Sequence, residues 1–370
     1  MKINLIFFLA RFGKGGAGNS VFRLCKNLNK KKYNIFVICL NKCAYEKELA
    51  KNKIKVIKIT ASRVLFSIFE LRRHLSQIIE KSDKNILISN INYTNLLCAI
   101  FIRKNHNLKL IGIERTPLKE LEIYFSLIDR FKKTLIRILI KFFYKKFDLI
   151  ICNSQYMSKY LKIKYKIPSI TIFPPSLKKI IHNKRKYVRI NQYLKLKIIT
   201  VCRLSQEKNL FEIIKAIKDL KSTQIILRII GDGQLKKSLK NYLKKINTSN
   251  KIELLGYKAN PYKYLVKSDL YINSSYFEGF PNSVVEAINA NLPIISSQSH
   301  GGINDILLNG KAGTIYKNNV NDLKNKILSF INNNQKHQKK MKLAKFNLKN
   351  FTIDKHVEKF ENEIRKIYKS

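Results

Sequence analysis

Acidic side chains are scarce in this sequence. Only 24 of its 370 residues are Asp or Glu, against 73 Lys and Arg, so the formal net charge at pH 7 is +49. Such a surplus excludes an acidic protein surface and attracts polyanions: nucleic acid, anionic lipid headgroups and phosphorylated substrates. A second interpretation stays open, because Lys, Asn and Ile are spread over the whole chain, as a genome-wide codon bias would spread them.

Cysteine motifs and long apolar runs are also missing. The six cysteines are scattered, no C-x-x-C occurs and no Cys/His set has zinc spacing, which predicts buried, reduced thiols in a cytosolic protein and no metal site. No apolar stretch reaches the roughly 18 residues of a membrane-spanning helix. The N-terminal run MKINLIFFLARFG contains Asn4 and ends at Arg11 without a cleavage site. We therefore interpret it as a buried strand and not as a signal peptide.

Short apolar runs alternate with longer amphipathic segments along the whole chain. This alternation is typical of parallel strands joined by crossover helices, and the length favours two domains. The predicted strands are Ile3–Leu9, Asn34–Leu40, Lys55–Ile59, Ile86–Ser89, Lys109–Ile113, Leu149–Cys152, Leu196–Val201, Gln224–Ile230, Ile252–Leu255, Leu270–Asn273, Pro293–Ser296 and Gly313–Tyr316.

The fold predicted from this pattern is a pair of doubly wound α/β domains. Pro174, Pro175 and the basic run 178–187 predict a linker. We expect an N-terminal domain at 1–175, a linker at 176–195, a C-terminal domain at 196–350 and a last helix at 351–370 that packs back on the first domain. Ligands of such sheets bind beyond the carboxyl ends of the strands, so two facing sheets would form a central cleft.

Three turns follow predicted strands, and two of them contain glycine. GKGGAGNS, with Gly15 and Gly16, leads into a helix from about Ser20 and suits an anion, although a flexible turn explains it equally well. GDG, ending at Gly233, is a tight strand-to-helix turn that would let a base or ribose approach. VCRLSQEKN brings Arg203 and Lys208 onto one loop, where the two cations suit a diphosphate or are simply solvated.

The stretch YFEGFPNSVVEA carries two glutamates. Ser283-x-x-Glu286 matches a capping box, in which Glu286 would bond back to the Ser283 N–H. Glu278 has no such local role, because it lies in a turn at the carboxyl end of a strand. The later stretch SHGGINDIL adds a second glycine pair and places Asp305 in the first turn of another helix.

Taken in order, these turns resemble the retaining nucleotide-sugar glycosyltransferases of family 4, which have the GT-B fold. RL-x-x-x-KN, GDG, GY and E-G-F-P-N-x-x-x-E-A carry the resemblance, which is densest over Lys197–Leu308. It implies that Arg203 and Lys208 bind the donor diphosphate, that Glu286 binds the ribose, and that Glu278 contacts the transferred sugar. Backbone N–H groups around the turn would hold the sugar and diphosphate; its residues are Gly279, Phe280, Pro281, Asn282 and Ser283. Gly15 and Gly16 would approach the phosphates from the first domain.

The resemblance has one important gap. Many relatives carry a histidine after the strand that corresponds to Lys109–Ile113, whereas this chain has Glu114-Arg115 there, and we expect these two to contact the sugar or the acceptor. His106 precedes the strand, and we place it on a surface turn. Cys202 stands where Gly is usual, and Asp305 where Glu is usual.

The implied reaction is glycosyl transfer with retained anomeric configuration. No D-x-D occurs, which agrees with a metal-independent enzyme that uses no cofactor, the nucleotide-sugar being a co-substrate. E-G-F-P-N resembles the motif of enzymes that use UDP-N-acetylhexosamines. The sequence determines neither the sugar nor the acceptor.

The segment Leu127–Phe147 predicts an amphipathic helix with a basic stripe (Lys133, Arg137, Lys141 and Lys145) and an apolar stripe (Phe131, Leu135, Ile138, Leu139 and Phe142). Such a helix either lies on an anionic leaflet or packs on its own sheet. We favour a peripheral protein on the inner face of the plasma membrane and a glycan or lipid-linked acceptor of bacterial surface polysaccharide or lipopolysaccharide. A nucleic-acid-binding protein and a non-catalytic GT-B subunit are the alternatives, but no nucleic-acid-binding module is present.

Overall fold

The computed structural model describes residues 2–79, 84–124, 126–182, 195–220, 224–246 and 248–368. The chain forms two compact units, Met1–Lys178 with Thr352–Ser370, and Lys179–Phe351. Most of the predicted linker, at 183–194, lies outside the described residues.

The first unit is built on a parallel sheet of seven strands in the order β3-β2-β1-β4-β5-β6-β7. Successive residues of the central strand enter two different cores, Phe7 one and its neighbours Ile6 and Phe8 the other. Apart from the buried Asn4, the strand is therefore apolar along its length, as a sheet covered by helices on both faces requires. The strands are β1 (Ile3–Leu9), β2 (Tyr33–Leu40), β3 (Lys55–Ile59), β4 (Asn85–Asn90), β5 (Leu108–Glu114), β6 (Leu149–Cys152) and β7 (Ile170–Thr171).

The helices of this unit follow its strands in turn, as crossover connections between parallel strands do. They are α1 (Gly16–Asn27), α2 (Glu46–Lys51), α3 (Ser67–Ile79), α4 (Asn92–Phe101), α5 (Leu127–Phe143) and α6 (Gln155–Tyr160).

The second unit has a parallel six-stranded sheet in the order β10-β9-β8-β11-β13-β15, and a separate pair formed by β12 and β14. The strands are β8 (Leu196–Val201), β9 (Ile225–Ile230), β10 (Lys251–Gly256), β11 (Leu270–Asn273), β12 (Phe277–Glu278), β13 (Ile294–Ser297), β14 (His300–Gly301) and β15 (Thr314–Tyr316). The helices are α7 (Leu210–Lys218), α8 (Lys236–Lys245), α9 (Tyr262–Leu265), α10 (Asn282–Asn289), α11 (Ile303–Leu307), α12 (Val320–Asn332) and α13 (Asn334–Asn347).

The last helix, α14 (Ile353–Ile367), returns to the first unit. Its Phe360 ring stacks on Phe7 of β1 at 6.4 Å between centroids. His356 Nδ1 lies 2.6 Å from the carbonyl oxygen of Phe173. The helix begins after Thr352, whose side chain accepts a hydrogen bond from the Lys355 N–H. Apolar packing and a capped start thus fix this helix to the first sheet.

The predicted doubly wound fold is confirmed. All twelve predicted strands are present, and each begins and ends within one residue of its predicted position. The three strands missed, β7, β12 and β14, have two residues each, which is too short for a hydrophobic period to show. Over the described residues, no helix combines the length and apolarity needed to cross a bilayer.

The six cysteines are unpaired thiols. Cys25, Cys39, Cys98 and Cys152 are buried as predicted, but Cys43 and Cys202 are only half-buried. His106 is exposed in the turn before β5, where the sequence placed it.

Candidate functional site

An ion pair joins the loops that follow two adjacent strands of the second unit, β8 and β11. Lys208 Nζ lies 2.5 Å from Glu278 Oε1, and the two side chains are only 12% and 16% exposed. Both strands are parallel neighbours in the sheet, so their carboxyl ends lie at the same edge. The sheet thereby brings together two residues that are seventy positions apart in the chain.

Three serines hold this pair in place. Ser275 Oγ donates to Glu278 Oε1 at 2.8 Å, and Ser274 Oγ donates to the backbone oxygen of Lys208 at 2.6 Å. Ser297, at the end of β13, donates to the backbone oxygen of Ser275 at 2.6 Å. The Glu278 carboxylate and the Lys208 backbone are therefore held by serines from two strand ends, those of β11 and β13. No role was predicted for these serines, although the Ser274-Ser275 pair directly after a strand is visible in the sequence.

The turn that carries Glu278 is seated on the second glycine pair. β12 and β14 pair in parallel, with Glu278 opposite Gly301. Gly301 has φ +128°, and a Cβ there would overlap the carbonyl oxygen of Glu278. At Gly302, a Cβ would press against the Phe280 ring, and the Gly302 N–H donates to the Gly279 oxygen at 3.1 Å. Both glycines are thus required for the turn to lie where it does.

Arg203 lies on the same β8 loop but is 72% exposed, with Nη2 3.4 Å from Glu207 Oε1. Ser205 Oγ donates to that same oxygen at 2.6 Å. Burial opposes ionisation of Glu207, but the bonds from Ser205 and its own backbone, with nearby Lys208 and Arg203, hold its pKa below the usual value. Glu207 was not predicted as a site residue, and it gives this loop a fixed negative charge beside two cations.

The GDG turn supports the Arg203 loop from behind. Gly231 has φ +149° and Gly233 φ +159°, and a Cβ at these positions would overlap the carbonyl oxygens of Cys202 and Leu204. The Leu204 N–H also donates to the Asp232 carbonyl at 3.0 Å. Close backbone packing therefore requires glycine at both positions. This explains the GDG turn without any contact to a ligand.

Helix α10 begins at Asn282, one residue earlier than predicted, with Pro281 as its cap and no side-chain capping bond. Ser283 consequently lies inside the first turn, and its hydroxyl accepts a hydrogen bond from the Tyr271 hydroxyl at 2.8 Å. The capping box expected from Ser283 and Glu286 requires Ser283 at the cap position, so that interpretation is wrong. Glu286 is half-buried on the next turn of the helix.

In the first unit, the glycine-rich turn is itself the start of a helix. α1 begins at Gly16, with Gly15 as its cap, four residues earlier than the predicted start near Ser20. A Cβ at Gly18 would overlap the Gly13 carbonyl oxygen, so Gly18 is needed for packing. A Cβ at Gly15 would meet no atom within 4 Å, so packing does not explain that glycine.

The Glu114-Arg115 pair divides between the interior and the surface of the first unit. Glu114 is fully buried, and its Oε1 accepts hydrogen bonds from Tyr144 at 2.5 Å and Asn95 at 2.7 Å. Burial raises the pKa of Glu114 to about 7, although those two hydrogen bonds lower it. Arg115 is half-buried and donates from Nε and Nη2 to Asn90 Oδ1 at 3.1 and 2.9 Å. Arg115 therefore keeps part of its surface accessible to solvent, whereas Glu114 has none.

Ile91, next to Asn90, has φ +76° and ψ +142°. A β-branched residue rarely adopts a positive φ, and such strain gathers at functional sites. The Ile91 N–H donates to the Ile113 oxygen at 3.0 Å, which holds the strained backbone against the end of β5. No sequence pattern marks this residue.

Arg203, Lys208, Gly233, Glu278 and the start of α10 all follow strands of the second sheet at its carboxyl edge. There, two cations and the N-terminus of α10 can neutralise a diphosphate, and carboxylates can accept hydrogen bonds from hydroxyl groups. In the first unit, Gly15 follows β1 and Arg115 follows β5, two strands that flank β4.

Two family models match this chain. Residues 183–347 match the model described as glycosyl transferases group 1, and residues 14–177 match that of glycosyltransferase family 4. Among curated proteins, an uncharacterised glycosyltransferase of Methanocaldococcus jannaschii is 27% identical over 280 residues, 70% of this chain and 68% of that protein. The N-acetylgalactosamine-N,N'-diacetylbacillosaminyl-diphospho-undecaprenol 4-alpha-N-acetylgalactosaminyltransferase of Campylobacter jejuni is 27% identical over 326 residues, 83% of this chain and 84% of that protein.

Solved structures share the whole fold. Anabaena HepE in complex with UDP-glucose matches with a TM-score of 0.74 and 18% identity, over 98% of this chain and 100% of that chain. At this identity the likeness shows the fold alone, and that fold is GT-B.

Proposed function

The chain is a glycosyltransferase of the GT-B fold, with a glycosyltransferase domain model matched to each half, and we propose that it is a retaining enzyme that moves a sugar from a UDP-sugar to a glycan or lipid-linked acceptor. The Lys208–Glu278 pair is the observation that carries the proposal. It puts a phosphate-binding cation and a carboxylate together at the edge of a doubly wound sheet where ligands bind.

Arg203 and Lys208 would bind the donor diphosphate and neutralise the charge that grows on it as the glycosidic bond to the sugar breaks. Arg203 is exposed and offers a bidentate fork, whereas Lys208 is fixed by its neighbours and acts as a point charge. The N-terminus of α10 adds partial positive charge. In this proposal these protein cations do the work that a divalent metal does in other transferases.

Glu278 would contact the transferred sugar, and Glu286 the ribose hydroxyls. Ser275 holds the Glu278 carboxylate independently of Lys208, so the carboxylate keeps its position when the lysine turns to a phosphate oxygen. The oxocarbenium-like transition state of glycosyl transfer gains from a negative charge fixed in this way. In the first unit, Gly15 and Gly16 would offer backbone N–H groups to phosphate oxygens, and Arg115 would contact the acceptor.

The proposal for the acceptor and its location rests on charge and on the relatives. The name of the Campylobacter enzyme describes a diphospho-undecaprenol acceptor, and a chain of net charge +49 suits a diphosphate or an anionic leaflet. We therefore propose work at the inner face of the plasma membrane in the biosynthesis of a bacterial surface polysaccharide or lipopolysaccharide. The motif resemblance favours a UDP-N-acetylhexosamine donor.

The test is calorimetric titration with UDP, GDP and ADP, followed by a screen of their sugars for donor turnover. Lys208→Met should weaken UDP binding about tenfold to hundredfold, because it removes a charge-assisted bond to the diphosphate. Glu278→Gln should keep UDP affinity equal to or above that of the wild type and lose most turnover. Lys251→Met is the matched control, since Lys251 pairs with Glu253 at 2.9 Å at the start of β10, on the opposite edge of the sheet.

Two results would contradict these assignments. If none of the three nucleotides binds, the chain does not use a nucleotide-sugar. If the Lys208 and Glu278 variants lose UDP binding equally, the separation between diphosphate and sugar contacts is wrong.

A further inference from the structure

Helix α5 has two apolar faces, and only one of them is used within the unit. The inward face packs in a core with the end of β6, where Cys152 is buried. The residues of this face are Ile136, Leu139, Ile140 and Phe143. Of the two alternatives left open by the sequence, packing on the sheet applies to these four residues; Leu139, predicted as part of a single apolar stripe, belongs to this inward face.

The second apolar face is exposed to solvent. Its six side chains are between 46% and 84% exposed: Leu127, Ile128, Phe131, Leu135, Ile138 and Phe142. Because each residue of a helix is rotated by about 100° from the one before, these six side chains share an arc of about 100°. None of the six belongs to the core that the inward face of α5 joins. A continuous stripe of six large apolar side chains, two of them phenylalanines, marks an interaction surface and not ordinary surface variation. We call it the α5 stripe.

Cations without a carboxylate partner among the described residues flank the α5 stripe, and one of them, Arg130, lies over the Tyr124 ring at 5.9 Å from its centroid. Arg130, Lys132 and Lys141 are exposed, and no carboxylate of the described residues lies within ion-pair distance of them. Lys133 and Arg137, which the sequence analysis counted in a basic stripe, instead lie against Asp129 and Glu122 on the side of the helix that faces the loop before it. The positive charge of α5 that no carboxylate balances is therefore concentrated along the two borders of the α5 stripe.

We propose that the α5 stripe docks the protein on an anionic phospholipid surface. The apolar side chains would enter the boundary between headgroups and acyl chains, and Arg130, Lys132 and Lys141 would bind the headgroup phosphates. A second copy of the chain is a poorer occupant, because two stripes in contact would oppose the same cations in molecules that each carry +49.

The position of α5 suggests why docking would help the enzyme. This suggestion rests on the proposed function, whereas the docking itself does not. Tyr144 follows α5 directly, and its hydroxyl donates to the Glu114 carboxylate next to Arg115. Docking through α5 would therefore hold the end of β5, where we place the acceptor contact, near the leaflet that carries a lipid-linked acceptor.

Co-sedimentation of the full chain with vesicles tests the apolar half of the proposal. Vesicles of phosphatidylcholine with phosphatidylglycerol should bind the wild type much more tightly than phosphatidylcholine alone. Leu127→Ser with Phe131→Ser should weaken binding to the anionic vesicles at least a hundredfold, since each side chain contributes about tenfold or more. Phe346→Ser is the matched control, because Phe346 is also a highly exposed phenylalanine, on α13 of the second unit. It should bind as the wild type does.

Arg130→Gln with Lys132→Gln tests the charged half. Binding to the anionic vesicles should fall roughly fivefold for each cation removed, and binding to phosphatidylcholine alone should not change.

Unaltered thermal unfolding and UDP affinity would show that the variants are folded. Equal vesicle binding by wild type and the Leu127/Phe131 variant overturns the proposal. So does a concentration-dependent dimer in analytical ultracentrifugation that this variant abolishes while vesicle binding is kept. Failure of UDP binding would contradict the proposed function and leave this result untouched.

Discussion

Replacing Glu114 by Gln should make the protein more stable at neutral pH and change little at acidic pH. Glu114 is fully buried, its Oε2 has no hydrogen-bond partner among the described residues, and burial raises its pKa from 4.5 to about 7. Because the folded state binds this proton more tightly than the unfolded state, the stabilising contribution is present below about pH 4.5. It is lost as the pH rises to about 7 and the carboxyl ionises in the interior.

The magnitude follows from the two pKa values. Each pH unit corresponds to about 1.4 kcal/mol, so ionisation of Glu114 costs the folded state about 3 kcal/mol above pH 7. A glutamine keeps the oxygen that accepts from Tyr144 and Asn95, and its amide replaces the protonated oxygen. The variant should therefore equal the wild type within about 1 kcal/mol at low pH and exceed it by up to about 3 kcal/mol above pH 7.

The assay is urea unfolding of both proteins at a series of pH values, with hydrogen exchange of β5 amides as a probe of the first unit alone. Glu122→Gln is a control of opposite sign. Burial opposes ionisation of Glu122, but bonds from Lys119, Tyr160 and Lys164 lower its pKa to about 2, so that variant should lose stability at neutral pH and regain the difference as the pH falls. A difference between wild type and Glu114→Gln that stays constant from acid to neutral pH would refute the reasoning.

Two further predictions concern the turn that carries Glu278. Gly301→Ala should abolish most turnover and destabilise the second unit, because the new Cβ would overlap the Glu278 carbonyl oxygen. Gly310→Ala is the control, since Gly310 is also at positive φ but a Cβ there would meet only the flexible Ile315 side chain. It should lower the free energy of unfolding by about 1 kcal/mol and keep activity. Thermal unfolding and UDP release measure both, and equal effects would contradict the close approach. Ser275→Ala should lower kcat about tenfold or more with little change in UDP affinity, because it removes one bond to the Glu278 carboxylate. A loss confined to UDP affinity would show that the serine acts on Lys208 instead.

The strands and the edge of the sheet that carries the site were determined by the sequence itself. A parallel strand buried on both faces is apolar over most of its length, so Ile3–Leu9 and Leu270–Asn273 are recognisable without a partner. Parallel strands place their carboxyl ends at one edge, which is why residues after strands, such as Lys208 and Glu278, could be grouped in advance. The glycines of the GDG and SHGG turns were visible in the same way.

Contacts between distant segments were decided only by the tertiary structure. Local pattern favoured a capping role for Glu286, but the helix starts one residue earlier, and Ser283 bonds instead to Tyr271 on a neighbouring strand. Glu114 and Arg115 are adjacent in sequence, yet Glu114 is the last residue of β5 and is buried, whereas Arg115 lies just beyond the carboxyl end of the strand and is partly exposed. The direction of each face of α5 likewise depends on which side the sheet already occupies. Periodicity describes what a segment can bury, whereas the fold determines which of its faces finds a partner.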